Sequence, residues 1–416
     1  MGIEYLQPVP HLTTALTGPL HEIERLLLAK QSDIEQWLRR QWLATRAPFY
    51  ASVDLRNAGF KVAPIDTNLF PAGFNNLNPA FLPLCVQAVQ SAAERICPKA
   101  CNVLVIPENH TRNTFYLEHL AALQHVLRLA GFKVRIGSLL PELTAAIAMP
   151  LPSGREVILE PLTRKGEKLS LGDDFSPCFV LLNNDLSGGR PAILEGLKIP
   201  VVPHLGLGWS NRLKSDHFAH YRQVAHEFSE LIDIDPWLID PVFRKCGRID
   251  FHRREGENCL ARNVEAVLTA VEKKYREYGI DQRPFVIVKA DAGTYGMGIM
   301  TVYSPDDVLN LNRKQRNKMA VIKEGQTVQD VMVQEGVYTF ETWGEQGAVA
   351  EPVVYMVDHF VVGGFYRVHR ERGRDQNLNS PGMHFESLAF ADCCANPDRT
   401  KAPDAQPNRF YAYGVI

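Results

Sequence analysis

Short apolar strands that alternate with helical segments restrict the fold of this chain more than any other feature. Such strands begin VLVIPENHTRN (103–113), FKVRIGS (132–138), CFVLLNNDLSGG (178–189) and KIPVVPHLG (198–206). Each is a run of β-forming residues, and a helical apolar stripe separates the first two. Strands joined by helical crossovers lie parallel to one another. The pattern therefore predicts an α/β fold with a parallel sheet in the N-terminal half.

Polar residues follow two of these strands at the point where each strand ends. In an open parallel sheet, ligands bind beside the carboxyl ends of the strands. Asn and Asp also favour turns and helix caps, so a purely structural role is the alternative for each residue. The residues concerned are Glu108, Asn109, His110, Arg112, Asn183, Asn184 and Asp185.

A glycine-bearing loop between two apolar runs lies at residues 284–302, PFVIVKADAGTYGMGIMTV. The runs predict a strand pair, with Lys289 at the end of the first strand. Gly293, Gly296 and Gly298 allow close backbone approach, so N–H groups and the Lys289 ammonium can face phosphate oxygens. The spacing fits neither a Walker loop nor a dinucleotide fingerprint. The loop predicts a polyphosphate grip, and a plain hairpin with a solvated lysine is the alternative.

Composition places the chain among ordinary globular proteins and excludes several partners. Its 416 residues are 45% hydrophobic and 22% charged, which allows two or three domains with buried cores. The formal net charge of −2 gives no attraction to nucleic acid or anionic lipid. We expect no nucleic-acid or membrane partner, because no apolar stretch approaches spanning length. Eight cysteines without a CxxC pair predict reduced thiols and a cytoplasmic protein.

Two segments without clear periodicity shape the expected domain organisation. Residues 53–77 are dense in Asn, Gly and Pro and predict a long structured loop. A polar stretch near residue 205, GLGWSNRLKSDHFAHYRQ, predicts a connection into a second unit. Beyond it, Val264, Val267, Leu268 and Val271 form a helical stripe that Gly279 can end.

The second half adds a short strand, VMVQEGV (331–337), a strand pair at 351–370 and a polar loop, RDQNLNSPG (374–382). Glu351, Asp375 and Asn377 offer the hard oxygen ligands that Mg²⁺ takes when it is shared with phosphates. Arg367 adds a cation that suits a transferring phosphoryl group. The alternatives are a cross-strand ion pair for Glu351 and Arg367 and turn capping for the other two.

The order of these motifs resembles the ATP-grasp ligases, and within them the proteobacterial glutamate-cysteine ligases, a family related in fold to bacterial glutathione synthetase. The family resemblance is carried by DLRNAGFKVAPIDTNLFPAGFNNL, IPENHTRN and GWSNRLKSDHF. It implies an α/β (α+β) chain with an N-terminal parallel-sheet domain at 1–205 and an ATP-grasp domain at 206–416. It also implies a small lid subdomain near 220–335.

The resemblance implies a role for each motif residue. Arg367 and Lys289 would be catalytic, and Glu351, Asp375 and Asn377 would hold Mg²⁺. Glutamate also needs opposite charges for its carboxylate and ammonium groups, which makes Arg56, Asp66, Arg112 and Asp185 candidates; internal ion pairing is the alternative. ATP would be bound by Lys214, Lys289, Gly293, Gly296, Gly298, Gln334, Glu335 and Val337.

The implied activity is ATP-dependent ligation of glutamate to cysteine through an acyl phosphate, with ATP and Mg²⁺ as cofactors. Glutamate and cysteine would be the small-molecule partners, and a homo-oligomer is left open. Two alternatives stay open on the sequence alone. One is another ATP-grasp amide ligase such as a glutathione synthetase, and the other is a noncatalytic protein that binds nucleotide or amino acid.

Overall fold

The computed structural model describes residues 12–14, 18–109, 113–293, 298–320, 330–388 and 409–416. Within these ranges the α-helices are α1 (Pro19–Ala29), α2 (Gln31–Ala44), α3 (Leu82–Ile96), α4 (Thr114–Leu129), α5 (Lys214–Ile232), α6 (Glu257–Glu277), α7 (Pro305–Leu309), α8 (Arg313–Ala320) and α9 (Arg409–Val415). Short 3₁₀ turns lie at Phe74–Asn76, Pro79–Phe81, Ala192–Leu194, Leu205–Leu207 and Pro236–Leu238.

The strands of the same ranges are β1 (Leu12–Thr13), β2 (Tyr50–Asn57), β3 (Val62–Asn68), β4 (Asn102–Pro107), β5 (Lys133–Ser138), β6 (Ile147–Pro150), β7 (Glu156–Pro161), β8 (Thr163–Lys165), β9 (Lys168–Ser170), β10 (Phe179–Asn183), β11 (Val201–Val202), β12 (Phe243–Arg248), β13 (Val286–Ala290), β14 (Ile299–Val302), β15 (Asp330–Glu335), β16 (Thr342–Trp343), β17 (Ala348–Val357), β18 (Phe360–His369) and β19 (His384–Ser387). Together with the helices they form a mixed α/β fold.

A six-stranded sheet in the order β11-β10-β4-β5-β7-β6 occupies the N-terminal half. All its pairings are parallel except β6 with β7, so the predicted parallel sheet is confirmed. The central strand β10 is buried along its whole length, because helices and other sheets cover both of its faces. Its carboxyl end delivers Asn183 and the residues after it to one edge of the sheet.

A four-stranded antiparallel sheet in the order β12-β15-β13-β14 carries the predicted phosphate-grip hairpin. Lys289 pairs with Ile299 across β13 and β14, which confirms the strand pair read from the sequence. Helix α6 packs its apolar stripe onto this sheet, and Gly279 follows the helix end with φ +64°. Each fully buried valine of that stripe contributes about 1.5–3 kcal/mol relative to an exposed one.

A seven-stranded antiparallel sheet joins the two ends of the chain. The long pair β17 and β18 turns at Asp358, which takes φ 55°, and confirms the strand pair predicted at 351–370. Strand β2 pairs with β17, and β3 pairs with β2. Residues before 205 therefore share one sheet with residues after 350.

The prediction of an irregular loop from 53 to 77 is wrong for most of its length. Strands β2 and β3 occupy it and form a hairpin that turns at Gly59, where φ is +81°. Ala58 N donates to the Lys61 carbonyl at 2.8 Å and closes the turn. The polar–apolar alternation of a surface strand is missing because most of β2 is covered on both faces. Pairing with β17 outweighs the turn preference of Asn, Asp and Pro.

None of the helices in the described ranges combines the length and apolar character needed to cross a membrane.

Candidate active site

A cavity of about 930 Å³ lies where the three large sheets meet. It takes residues from β2 and β17 of the seven-stranded sheet, from β13 and β15 of the four-stranded sheet, and from the carboxyl ends of β4 and β10. A cavity of this size can hold a nucleotide or a similarly large ligand. The predicted site residues that line it are Arg56, Asp66, Asp185, Lys289, Gln334, Glu335, Val337, Glu351, Arg367 and Asn377.

The other predicted site residues do not line this cavity, or lie outside the described residues. Lys214 is not among the cavity-lining residues, but it forms an ion pair with Asp66, which is. Gly293, Gly298 and Asp375 are not among the residues of the cavity wall. Arg112 and Gly296 fall on residues that the structure does not describe. Gly293 and Gly298 have φ of +100° and +62°, so the grip loop uses the conformations that favour glycine.

Arg367 and Glu351 face each other across β18 and β17 on the cavity wall. Arg367 Nη1 donates to Glu351 Oε1 at 2.5 Å and to Asp54 Oδ2 at 3.1 Å. Burial disfavours the charged form of Arg367, but Asp54 and Glu351 outweigh burial and raise its pKa. Arg367 is thus a permanent, pre-oriented cation. Its buried Nε has no acceptor among the described residues, so one donor remains for a ligand.

Two lysines surround Asp66 at the end of β3. Lys214 Nζ donates to both carboxylate oxygens of Asp66 at 2.6 Å, and Lys289 Nζ donates to the Ile65 carbonyl at 2.7 Å. Burial opposes ionisation of Asp66, but Lys214 and Lys289 outweigh it and lower the pKa of that carboxyl. Burial, assisted by the nearby Lys214, lowers the pKa of Lys289 to about 8 against the opposing effect of Asp66.

Asp291, two residues beyond Lys289, fixes the position of Lys214. Its backbone carbonyl accepts from Lys214 N at 2.7 Å, and its carboxylate accepts from Ser215 N at 2.7 Å and Ser215 Oγ at 2.6 Å. A carboxylate at the N-terminus of α5 is favoured because it satisfies unpaired helix N–H groups. Asp291 therefore ties the start of α5, which carries Lys214, to the end of the strand that carries Lys289.

The end of β15 presents two residues with different roles. The Glu335 carboxylate accepts from Lys61 Nζ at 2.8 Å, Trp237 Nε1 at 3.1 Å and Val242 N at 2.9 Å. These three donors occupy it inside the protein. Gln334 is also buried, and its Nε2 has no acceptor among the described residues. An unsatisfied buried donor costs about 1–3 kcal/mol, so this amide suits a polar ligand such as a nucleotide base.

The predicted metal ligands are divided between the cavity wall and a neighbouring loop. Glu351 and Asn377 line the cavity, whereas the Asp375 carboxylate accepts from the Tyr303 hydroxyl. Asn377 Oδ1 also accepts from Asn379 N at 3.0 Å and so caps its own turn. Within the described residues no three His, Cys, Asp or Glu side chains cluster as a metal site. The oxygen donors of Glu351 and Asn377 nevertheless have the chemistry that Mg²⁺ selects.

The predicted substrate residues include two whose polar groups already have protein partners. Arg56 donates to Glu351 Oε2 at 3.2 Å, to the Val337 carbonyl at 3.1 Å and to the Gln376 carbonyl at 2.5 Å. The Asp185 carboxylate accepts from Ser187 N at 2.9 Å and Ser187 Oγ at 2.7 Å. Arg56 thus links the strand that carries Glu351 to the loop that carries Asn377.

Sequence reasoning missed three residues of this region. Asp54 bonds Arg367, Lys61 bonds Glu335, and Trp209 lies on the cavity wall with the Lys214 Nζ 4.4 Å from its ring centroid. The Trp209 Nε1 is buried without an acceptor among the described residues. Asp54 and Arg56 are two residues apart, so recognising β2 as a strand would have pointed to a shared face.

One protein-family model matches nearly the whole chain. The glutamate-cysteine ligase (GshA) family model matches residues 24–416. The crystal structure of a Methylobacillus flagellatus KT protein, provisionally named gamma-glutamylcysteine synthetase, is 62% identical in sequence with a TM-score of 0.88. That match covers 99% of this chain and 96% of the other.

Two further structures match much more weakly. A glutathione synthetase-like effector from Globodera pallida has a TM-score of 0.36 at 9% identity, over 88% of this chain and 80% of the other. D-alanyl-alanine synthetase A from Vibrio cholerae O1 biovar eltor str. N16961 has a TM-score of 0.35 at 12% identity, over 76% and 80%. No curated protein matches significantly. On the family match and the 62% identity, the chain belongs to the glutamate-cysteine ligase family.

Proposed function

We propose that the protein joins the γ-carboxylate of glutamate to the amine of cysteine and converts ATP to ADP and phosphate. This reaction is the first step of glutathione synthesis. The observation that carries the proposal is the family match over residues 24–416. The cavity supports it, because one wall carries a buried arginine between carboxylates. Another wall carries Lys289, and the buried donors of Gln334 and Trp209 on the cavity wall have no acceptor within the described ranges.

The chemistry requires activation of an unreactive carboxylate. A γ-carboxylate oxygen of glutamate attacks the γ-phosphorus of ATP, ADP leaves, and an acyl phosphate forms. The cysteine nitrogen then attacks the acyl carbon, and phosphate departs with the electrons of the broken C–O bond. Catalysis of such transfers is mainly positioning and electrostatic stabilisation, so cations are needed where charge moves. Arg367 and Lys289 would supply them as catalytic residues.

The nucleotide would lie along β13 and β15. Lys214 and Lys289 would contact phosphate oxygens together with the loop that contains Gly293, Gly296 and Gly298. Gln334, Glu335 and Val337 would border the base. The Nε2 of Gln334 supports this placement directly, because it is buried and no group in the described part of the chain accepts from it. Glu335 would contribute mainly through its backbone, since three internal donors hold its carboxylate.

The proposal includes an ATP-grasp organisation with an N-terminal unit at 1–205, a second unit at 206–416 and a lid near 220–335. The four-stranded sheet supports the lid assignment because β12 to β15 fall inside or at the edge of that range. Pairing of β2 with β17 connects the two units through one continuous sheet. A cytoplasmic location is also proposed, and the free cysteines among the described residues support it.

Mg²⁺ fits the oxygen donors of Glu351 and Asn377 on the cavity wall, and we assign these two residues and Asp375 of the neighbouring loop to it. When bound with ATP, the ion would neutralise charge on phosphate oxygens. The protein's own contribution is to hold the ligands. Arg56 and Arg367 each bond one oxygen of Glu351 and thereby fix its carboxylate. For glutamate itself, Arg56, Asp66, Arg112 and Asp185 are the proposed binding residues.

The function is tested by phosphate release with ATP, Mg²⁺ and glutamate, with products identified by mass. Release that requires cysteine and yields γ-glutamylcysteine supports the proposal. Release that requires γ-glutamylcysteine and glycine instead would identify a glutathione synthetase. Nucleotide binding without turnover under any amino-acid mixture would identify a noncatalytic binding protein.

Affinity for ATP should fall as pH rises through about 8, because Lys289 then loses its proton. Well above that pH the dissociation constant should rise up to about tenfold per pH unit as the cation disappears. Calorimetric titration with ATP in the absence of amino acids measures this without interference from cysteine ionisation. Lys289→Arg keeps its charge at every working pH and should give a flat profile. An equally steep profile in that variant would assign the titration to another group.

Asn377→Ala should raise the Mg²⁺ concentration for half-maximal activity about tenfold, because one oxygen ligand is lost. Asn377→Asp is the matched control, since it keeps both the oxygen ligand and the acceptor for Asn379 N. The measurement is a Mg²⁺ titration of initial rates at saturating substrates. If Asn377→Ala leaves the midpoint unchanged, the residue only caps its turn.

A further inference from the structure

Asp54 lies on the cavity wall beside Arg367, the cation that would contact the transferred phosphoryl group. Its two oxygens accept from Arg367 Nη1 at 3.1 Å and from Arg367 Nη2 at 3.4 Å. The Asp54 side chain is 23% exposed, and it lines the cavity. A carboxylate in this position faces the space where the acyl carbon must lie, because the phosphate attached to that carbon would contact Arg367.

The second half of the proposed reaction needs a proton acceptor at this point. The α-amine of cysteine is mostly an ammonium ion at neutral pH, and an ammonium nitrogen has no lone pair with which to attack. A carboxylate within reach of that nitrogen can take the proton, and general-base catalysis of this kind contributes about 10²–10⁴ in rate.

Six other carboxylates line the cavity, and each accepts hydrogen bonds from protein donors. Glu118 accepts from Ser153 and Arg155, Glu108 from Asp185 N, and Asp185 from Ser187. Asp66 accepts two hydrogen bonds from Lys214, and the lysines lower its pKa, which makes it a weak base. Glu335 is held by Lys61 and two further donors. Glu351 accepts from two arginines, one on each oxygen.

Two histidines line the cavity, and His384 Nε2 lies 3.4 Å from Glu386 Oε1. His119 is engaged through both of its ring nitrogens. His119 Nδ1 accepts from Phe74 N at 3.3 Å, so its Nε2 carries the proton and donates to Asn183 Oδ1 at 3.0 Å. Burial lowers the pKa of His119 to about 4, so it stays neutral at physiological pH. Neither ring nitrogen is left to receive a proton from a substrate.

We propose that Asp54 is the general base that accepts one proton of the cysteine ammonium so that its nitrogen attacks the acyl phosphate. This inference rests on the proposed function. An Asp54 oxygen first takes one proton from the ammonium, which frees the nitrogen lone pair. The N–C bond then forms, the C–O bond to phosphate breaks, and phosphate leaves with the bonding electrons and takes up the second proton that the nitrogen loses. Phosphate or water then removes the proton from Asp54 before the next turnover.

Asp54 differs from the two most deeply buried carboxylates of the cavity in its exposure. Its side chain is 23% exposed, whereas those of Glu335 and Glu351 are 1% exposed. Arg367 thus fixes the direction of the Asp54 carboxylate and leaves it open to a ligand in the cavity.

Hydroxylamine separates the two half-reactions experimentally. It is largely unprotonated at neutral pH, so it can trap the glutamyl phosphate as a hydroxamate without help from a base. Asp54→Asn should lower kcat with cysteine about 100-fold or more, while kcat for hydroxamate formation stays within about threefold of wild type. Asp54→Glu, which restores a carboxylate, should recover part of the cysteine rate.

Each other outcome has a distinct meaning. Equal loss with both acceptors would show that Asp54 only positions Arg367, and an unchanged cysteine rate would exclude a base at this residue. A raised KM for glutamate with hydroxylamine would place Asp54 on the glutamate ammonium. All three overturn the inference. Retained hydroxamate formation also proves that the variant is folded. A wild-type protein that forms neither product refutes the proposed function itself.

Discussion

Arg367→Ala should lower kcat for γ-glutamylcysteine formation about a thousandfold while the dissociation constant of ATP changes by less than about threefold. Loss of a preorganised donor at a site of developing charge costs about 10²–10³ in kcat. Arg367 is such a donor because Asp54 and Glu351 hold its guanidinium and its Nε is left for a ligand. Steady-state kinetics and calorimetric ATP binding measure the two quantities.

Two variants control for the structural effect of this change. Removing Arg367 leaves Glu351 and Asp54 without their cation, and breaking a buried ion pair costs about 3–5 kcal/mol of stability. Arg367→Lys keeps the charge but loses the planar fork, so it should retain the fold and still be impaired about tenfold or more. Arg370→Ala removes an exposed arginine just after the same strand and should change nothing. Full activity of the Arg367→Ala variant would exclude a catalytic role for Arg367.

Elements defined by consecutive residues could be predicted from the sequence. The β13–β14 hairpin and the β17–β18 pair are local, so their apolar runs and turn residues lie in one stretch of chain. The parallel sheet followed from alternation of strands and helices. The β2–β3 hairpin escaped prediction because its strands gain stability from β17, about 300 residues further along the chain, and not from their own composition.

Site residues were predictable when a motif carried them and unpredictable when a distant partner defined them. Lys289 and Glu351 sit in motifs, whereas Asp54 acquires its role from Arg367, 313 residues away. The partners of Arg56 lie 281 to 320 residues away, so the sequence did not reveal the hydrogen bonds that its guanidinium makes to protein groups. Burial next to distant partners determines whether a charged side chain bonds protein groups, and the sequence alone does not reveal that burial.

Lys61→Met should destabilise the fold by about 3–5 kcal/mol and raise the KM for ATP, because it removes the cation that faces Glu335. Lys61 lies at the turn between β2 and β3 and is fully buried, with its Nζ 2.8 Å from Glu335 Oε2 and 3.0 Å from the Asp240 carbonyl. Methionine fills a similar volume, so the loss reports the uncompensated carboxylate and not a cavity. Urea unfolding followed by tryptophan fluorescence measures it, since Trp237 lies 4.4 Å from Lys61 Nζ.

The double variant Lys61→Met with Glu335→Gln distinguishes lost charge pairing from lost packing. Glutamine has no charge to bury and keeps one oxygen that can accept from Trp237 or Val242, so the double variant should be more stable than Lys61→Met alone. Lys165→Met, at an exposed ion pair with Asp173, should cost less than about 1 kcal/mol. A small loss of unfolding free energy in Lys61→Met would mean that water reaches the Glu335 carboxylate. A large loss of unfolding free energy with an unchanged KM for ATP would show that the Lys61–Glu335 pair serves stability alone. A large loss together with a raised KM would show that the β2–β3 hairpin positions the end of β15 for the nucleotide.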